Sequence, residues 1–193
     1  MVVAAALGGV SQDVQQLHRL GARPPMWGFH PTLTQVVMPL FLHFGWLHWG
    51  CNVFLLAALA LPLEVELGGA ALIWLFLLSG AGSVLVSLTA HPQQTALGCS
   101  GAVFGFWGAV VVQTLRRDRR EGLMQLALLG LGLWLSGSRL GVAHIDQSAH
   151  LGGLMLGALG YAAWKAGTWP RLGFTLLVGA AVAYATRGPH LPF

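Results

Sequence analysis

The chain has 193 residues, of which 55% are hydrophobic and only 8% charged, with a formal net charge of +4. Its mean hydropathy is +0.69. Soluble domains carry about 25% charged residues, so this composition excludes an ordinary soluble fold, and the small, scattered positive charge excludes a nucleic-acid partner. The two cysteines, Cys51 and Cys99, lie in apolar runs and read as free thiols rather than a disulfide framework.

In chain order, "MVVAAALGGV" is apolar but too short to span a bilayer, and it lacks the basic start of a signal peptide. It reads as the end of a helix whose beginning is missing, or as a short surface segment. "RPPMWGFHPT" follows as an irregular stretch whose Trp27 suits the membrane interface. A spanning helix needs about 20 mostly apolar residues. Six stretches qualify, at 47–63, 70–88, 99–115, 123–135 with its flanks, 149–166 and 172–185. The breaks between them are "LPLEVELGG" with Pro62 and two acids, "TAHPQQTALG", the charged "RRDRRE", the long "SGSRLGVAHIDQS" and the short "KAGTWPR". The expectation is one membrane domain over residues 1–193.

Basic residues set an orientation. With "RRDRRE" in the cytoplasm, Arg116, Arg117, Arg119, Arg120, Lys165 and Arg171 lie inside, against Arg19, Arg23, Arg139 and Arg187 outside. The spans starting near 47, 99 and 149 then run in one direction, each beginning at the outer face. Each carries polar groups near that start: His48 and Asn52 in "HFGWLHWGCN", Ser100 in "LGCSGAVFG", and His150 in "IDQSAHLGG". Residues four apart share a helix face, so His48 and Asn52 point together. A lone serine in such a helix commonly bonds its own backbone, and a lone histidine at a membrane border commonly serves as an anchor. Glycines such as Gly153 and Gly157 ease close helix packing in either case. Four polar side chains at one depth on three parallel helices are costly to bury without use. No histidine pair has the i, i+4 or HExxH spacing of a helical metal site, so no metal is expected.

These blocks resemble the rhomboid intramembrane serine proteases. "GCSGAVFG" is similar to their GxSG signature, "HFGWLHWGCN" to their His-x-x-x-x-His-x-x-x-Asn element, and "AHLGGLMLG" to their AHxxG segment; "LEVELG" has the acid-x-x-Leu-Gly form often found after the first block. The resemblance runs from about Phe41 to Trp164. It implies an all-α polytopic transmembrane bundle with its core at 36–166, the first core helix truncated, and one extra C-terminal helix at 172–186. It further implies an endopeptidase with Ser100 as nucleophile and His150 as base. His48, Asn52 and the Ser100 backbone N–H would hold the oxyanion, Gly98 and Gly101 would let the backbone approach closely, and Phe104 would stack on the histidine where tyrosine is more usual. His43 would have a supporting role; the other histidines (His18, His30, His91, His144 and His190) receive none. Asp146 reads as a loop residue with no part in orienting His150. Thr34 and Gln35 stand where the family usually carries a Trp-Arg pair.

The implied substrates are transmembrane helices entering sideways from the bilayer, with small residues at the cleavage point and helix-weakening residues below it. No cofactor is required, and the implied location is a bacterial inner membrane with the site opening outward. The rival reading is a rhomboid-like protein without catalysis that binds client helices. A transporter is disfavoured because the polar groups gather at one end and trace no path across.

Overall fold

The computed structural model describes residues 9–22, 31–92, 95–137 and 146–187. Residues 1–8 of the apolar N-terminus, Trp27, Arg23, His30, Arg139, His144 and His190 lie outside the described residues. The order is β1 (Val10–Ser11), α1 (Val14–Arg19), α2 (Leu33–Val37), a 3-10 turn (Met38–Phe41), β2 (His43–Phe44), and then six long helices. These are α3 (Gly45–Leu67), α4 (Gly69–Ala90), α5 (Ser100–Arg117), α6 (Arg119–Gly137), α7 (Gln147–Ala166) and α8 (Thr168–Thr186). At about 1.5 Å per residue, helices of 18–23 residues reach roughly the 30 Å of a bilayer core. By length and composition, α3 and α4 are apolar enough to cross a membrane. Large apolar side chains face outward on α3 (Leu47, Phe54, Val65) and α8 (Trp169, Leu176, Leu177), as a lipid surroundings requires.

All six expected spans appear as helices, but three breaks are narrower than their composition suggests. Helix α3 runs through Pro62 and ends at Leu67. Proline removes one helical donor, and neighbouring helices make that tolerable in a membrane bundle. Here Gln113 of α5 donates to the Pro62 carbonyl at 2.9 Å and to Glu66 Oε2 at 2.8 Å. Arg117 and Lys165 pair with the same Glu66 carboxylate at 2.8 and 2.9 Å, and the Tyr161 hydroxyl donates to it at 2.7 Å. The "LEVEL" segment is therefore a helix end fastened to α5 and α7 rather than a polar loop. In "RRDRRE" only Asp118 leaves the helical path, and its carboxylate receives the Arg120 N–H at 2.7 Å to start α6. In "KAGTWPR" the chain turns at Gly167 alone, with φ +114°, and Pro170 fits in the first turn of α8, where a missing N–H costs nothing.

Helix α5 is the axis, touching α3, α4, α6 and α7. Its closest partner is α7, and glycine permits the approach. A methyl group on Gly153 would run into the Gly101 carbonyl, one on Gly157 into the Gly105 carbonyl, and one on Gly108 into the Leu154 carbonyl. On another face, Gly101 and Gly105 receive Ser83 and Ser79 of α4, whose hydroxyls bond back to the carbonyls of Gly80 and Leu75 at 2.7 Å each. The hydroxyls thus satisfy themselves within α4 while packing on glycine. Below this seam, Leu63, Leu75, Phe106, Ala109, Val110 and Tyr161 form the largest buried apolar cluster.

The seam makes a stability prediction. Gly157→Val in detergent should lower the thermal unfolding midpoint by a shift equivalent to about 1–3 kcal/mol or more, the typical cost of overpacking. Gly179→Ala on α8, where nothing lies within 4 Å, should leave the midpoint unchanged or slightly raised. A Gly157→Val protein that melts with the wild type would refute the backbone seam.

Candidate active site

The ends of α3 and α5 that carry His48 and Ser100 are organised by a cap built from residues 9–22 and 31–44. Parallel pairing of β1 with β2 sets Val10 against His43 and Ser11 against Phe44. Leu17, Ala22 and Leu42 bury together, with Leu97 packed on them. Thr32 and Gln35 form a reciprocal capping box that starts α2, so Gln35 serves helix geometry.

This cap grips the residues just ahead of α5. The Gly98 N–H donates to the carbonyls of Pro39 at 2.9 Å and Leu42 at 2.7 Å. Gly98 has φ +94°, and a Cβ there would come within 2.7 Å of His48 Cε1 and 2.8 Å of Nε2. Glycine is therefore needed twice over, for the backbone turn and for room beside the His48 ring. The next N–H, that of Cys99, donates to His43 Nε2 at 3.3 Å. His43 is fully buried; burial first, and the neighbouring His48 second, lower its pKa to about 4. It is thus a neutral imidazole whose Nε2 is free to accept, which puts its proton on Nδ1.

Ser100 is the first residue of α5, so its N–H belongs to the set that has no intrahelical partner. His150, on the first turns of α7 and 6% exposed, brings Nε2 to 3.0 Å from Ser100 Oγ. Phe104, one turn below Ser100, lies flat on the His150 ring, with centroids 4.1 Å apart and planes 16° from parallel. A neutral imidazole at that distance can accept a hydroxyl proton, and the flat contact restricts its rotation. His48 and Asn52 sit in the first two turns of α3. The His48 ring lies against Gly98 and edge-on to His43, with centroids 5.2 Å apart. Asn52 is buried and donates one amide hydrogen to the His48 carbonyl at 2.9 Å. Gly101 lies beneath Ser83 and Gly153, as described above. Among the described residues, no group of three or more His, Cys, Asp or Glu could hold a metal ion.

Two long-range contacts escape a reading by motif. His43 holds the backbone immediately before Ser100, a link across 56 residues that spacing alone does not reveal. Asp146 is the N-cap of α7 rather than a free loop residue: its carboxylate accepts the Ala149 N–H at 3.0 Å and the Ser148 hydroxyl at 2.5 Å, and a short hydrogen bond from Ser87 of α4. Burial would raise its pKa, but the Ser148, Ser87 and Ala149 donors outweigh that and hold it below the usual carboxylate range. The cap has a visible signal in "DQSA", where an acid stands three residues before the N–H it receives.

Residues 30–166, well over half of the chain, match the family model described as Rhomboid domain. The chain is similar to the Rhomboid protease GluP of Bacillus subtilis, at 26% identity over 96% of this chain and 38% of that protein. It is similar to RHOMBOID-like protein 5 of Arabidopsis thaliana, at 30% identity over 89% of this chain and 53% of the relative. It also resembles Rhomboid-type serine protease 2 of Emericella nidulans, at 32% identity over 64% of this chain and 25% of the relative. The chain thus spans only about a third to a half of the first two of these relatives. The matched region runs from the residues ahead of the cap's α2 to the end of α7 and contains every side chain gathered around Ser100, and the bundle is that of an integral membrane protein: the chain belongs to the rhomboid family.

Proposed function

We propose that this chain is an intramembrane serine endopeptidase that cuts transmembrane segments of other membrane proteins through Ser100 and His150. The observation that carries the reading is the 3.0 Å approach of His150 Nε2 to Ser100 Oγ between two helices, 50 residues apart in sequence. A serine hydroxyl is a weak nucleophile until a base takes its proton. In this reading His150 accepts the proton as Ser100 Oγ bonds to the scissile carbonyl carbon. The imidazolium then gives the proton to the leaving nitrogen as the C–N bond breaks. Water, deprotonated by the same imidazole, hydrolyses the resulting ester and frees Ser100. Side chains and water suffice for each step.

The oxyanion that forms in both steps would rest on the Ser100 N–H, His48 and the second amide hydrogen of Asn52. The reading is supported by the position of His48 beside Gly98, two residues before the nucleophile. It sets the site toward the outer side of a bacterial plasma membrane, with the arginines around Asp118 in the cytoplasm. Substrate helices would come from the bilayer.

The deciding experiment is covalent labelling. A fluorophosphonate should label Ser100 in detergent-solubilised protein, and His150→Ala should abolish labelling without loss of the folded protein. Labelling should fall on the acid side, because a protonated imidazole has no lone pair for the serine proton. A folded wild type that stays unlabelled would defeat the protease reading in favour of client binding.

For the oxyanion donors, His48→Ala and Asn52→Ala should each slow turnover of a transmembrane reporter roughly 10- to 1000-fold, the upper end being the loss of one full donor. Combined, they should cost less than the product of the single effects, since both serve one charge. Wild-type rates in both single variants would remove these residues from the reading.

Orientation is tested by impermeant thiol labelling after replacement of Cys51 and Cys99. Arg117→Cys should be protected in intact cells and labelled in inverted vesicles. Labelling from outside intact cells would reverse the topology.

A further inference from the structure

His150 carries a burden that its own ring does not relieve. A catalytic imidazole is ordinarily turned and held by a partner on its second nitrogen. Here His150 Nδ1 is buried, and among the described residues it has no hydrogen-bond partner. Phe104 restrains the tilt of the ring, but a flat aromatic contact does not fix its height along α7. That height depends on where α7 begins.

The start of α7 is held at one residue. Asp146 Oδ1 accepts from Ala149 N–H and the Ser148 hydroxyl, and the Asp146 carbonyl accepts the His150 N–H at 3.1 Å. Its other oxygen, Oδ2, receives the hydroxyl of Ser87, a fully buried residue on α4. Ser79, Ser83 and Ser87 follow one another at four-residue spacing on α4. The first two pack on the glycines of α5 below Ser100, and the third reaches α7. One stripe of α4 therefore contacts the helix of the nucleophile and the helix of the base together.

We infer that Asp146 is a positioning residue, fixing the first turn of α7 to Ser87 of α4 so that His150 Nε2 stands at Ser100 Oγ. This rests on the protease reading above and assigns the orienting task of the missing third member to a carboxylate that never touches the imidazole. The carboxylate is ionised, its donors holding its pKa low, so both oxygens act as acceptors. A displacement of about 1 Å at a reacting group can cost 100-fold in rate, which is the scale such a tie controls.

The test compares Asp146→Ala, Asp146→Asn and Ser87→Ala with wild type for Ser100 labelling rate, reporter kcat and KM, and thermal midpoint. Asp146→Ala should slow labelling and kcat by about 10- to 100-fold with KM unchanged, because the base is misplaced while the substrate surface is intact. Asp146→Asn should restore most of the rate. Asparagine caps a helix as well as aspartate does, and its amide can donate to Ser87 Oγ, whose own hydrogen can turn to an α4 carbonyl. Ser87→Ala should show a smaller loss of the same kind. Gln113→Ala, which loosens the opposite end of the bundle, controls for general destabilisation and should label at close to the wild-type rate. If Asp146→Ala labels and turns over like wild type while folded, or if Asp146→Asn is as slow as Asp146→Ala, the positioning role is wrong. A wild type that fails to label instead defeats the protease reading, and this inference falls with it.

Discussion

Everything at the Ser100 end of this bundle depends on two backbones lying in contact. Where Gly101 and Gly105 of α5 meet Gly153 and Gly157 of α7, carbonyl oxygens of one helix occupy the space a Cβ would need on the other. In lipid there is no hydrophobic drive to press helices together, so close packing of small residues supplies the attraction. That contact brings the axes near enough for a serine at the start of one helix and a histidine at the start of the other to share a hydrogen bond. A larger separation would leave His150 short of Ser100 whatever its rotamer.

The cap of residues 9–22 and 31–44 serves the same end from above. It spends two carbonyls on Gly98 and a buried, neutral imidazole on Cys99, so these two residues deliver Ser100 to the start of α5 on a set path. Ser100 is thus placed by backbone hydrogen bonds from one side and His150 by glycine packing and an N-cap from the other.

Much of this organisation is legible in the sequence, for reasons that differ by element. The six spans are visible because a bilayer demands long apolar runs regardless of what they pack against. The nearness of Ser100 and His150 is visible because three polar blocks begin three helices of one direction. The ends of α3 are not visible: Pro62 and two glutamates look like a loop until Gln113, Arg117, Tyr161 and Lys165 arrive from helices some 50 to 100 residues away. The Asp146 cap is legible locally in "DQSA", but its tie to Ser87, 59 residues earlier, is not. The strand pair Val10–Ser11 with His43–Phe44 is too short to leave a pattern at all.

The Glu66 cluster at the far end from Ser100 has an uneven tolerance built into it. Four donors converge on one carboxylate: two cations, an amide and a phenol. Loss of any single donor leaves Glu66 with three others, and Arg117, more than half exposed, can turn back to water. Loss of the carboxylate removes the shared acceptor of all four at once: Gln113 keeps the Pro62 carbonyl and Arg117 turns to water, but Tyr161 and Lys165 must find new acceptors or go without. The hub is therefore redundant in its spokes and has no spare at its centre, so sequence drift can pass through Arg117 or Lys165 far more freely than through Glu66.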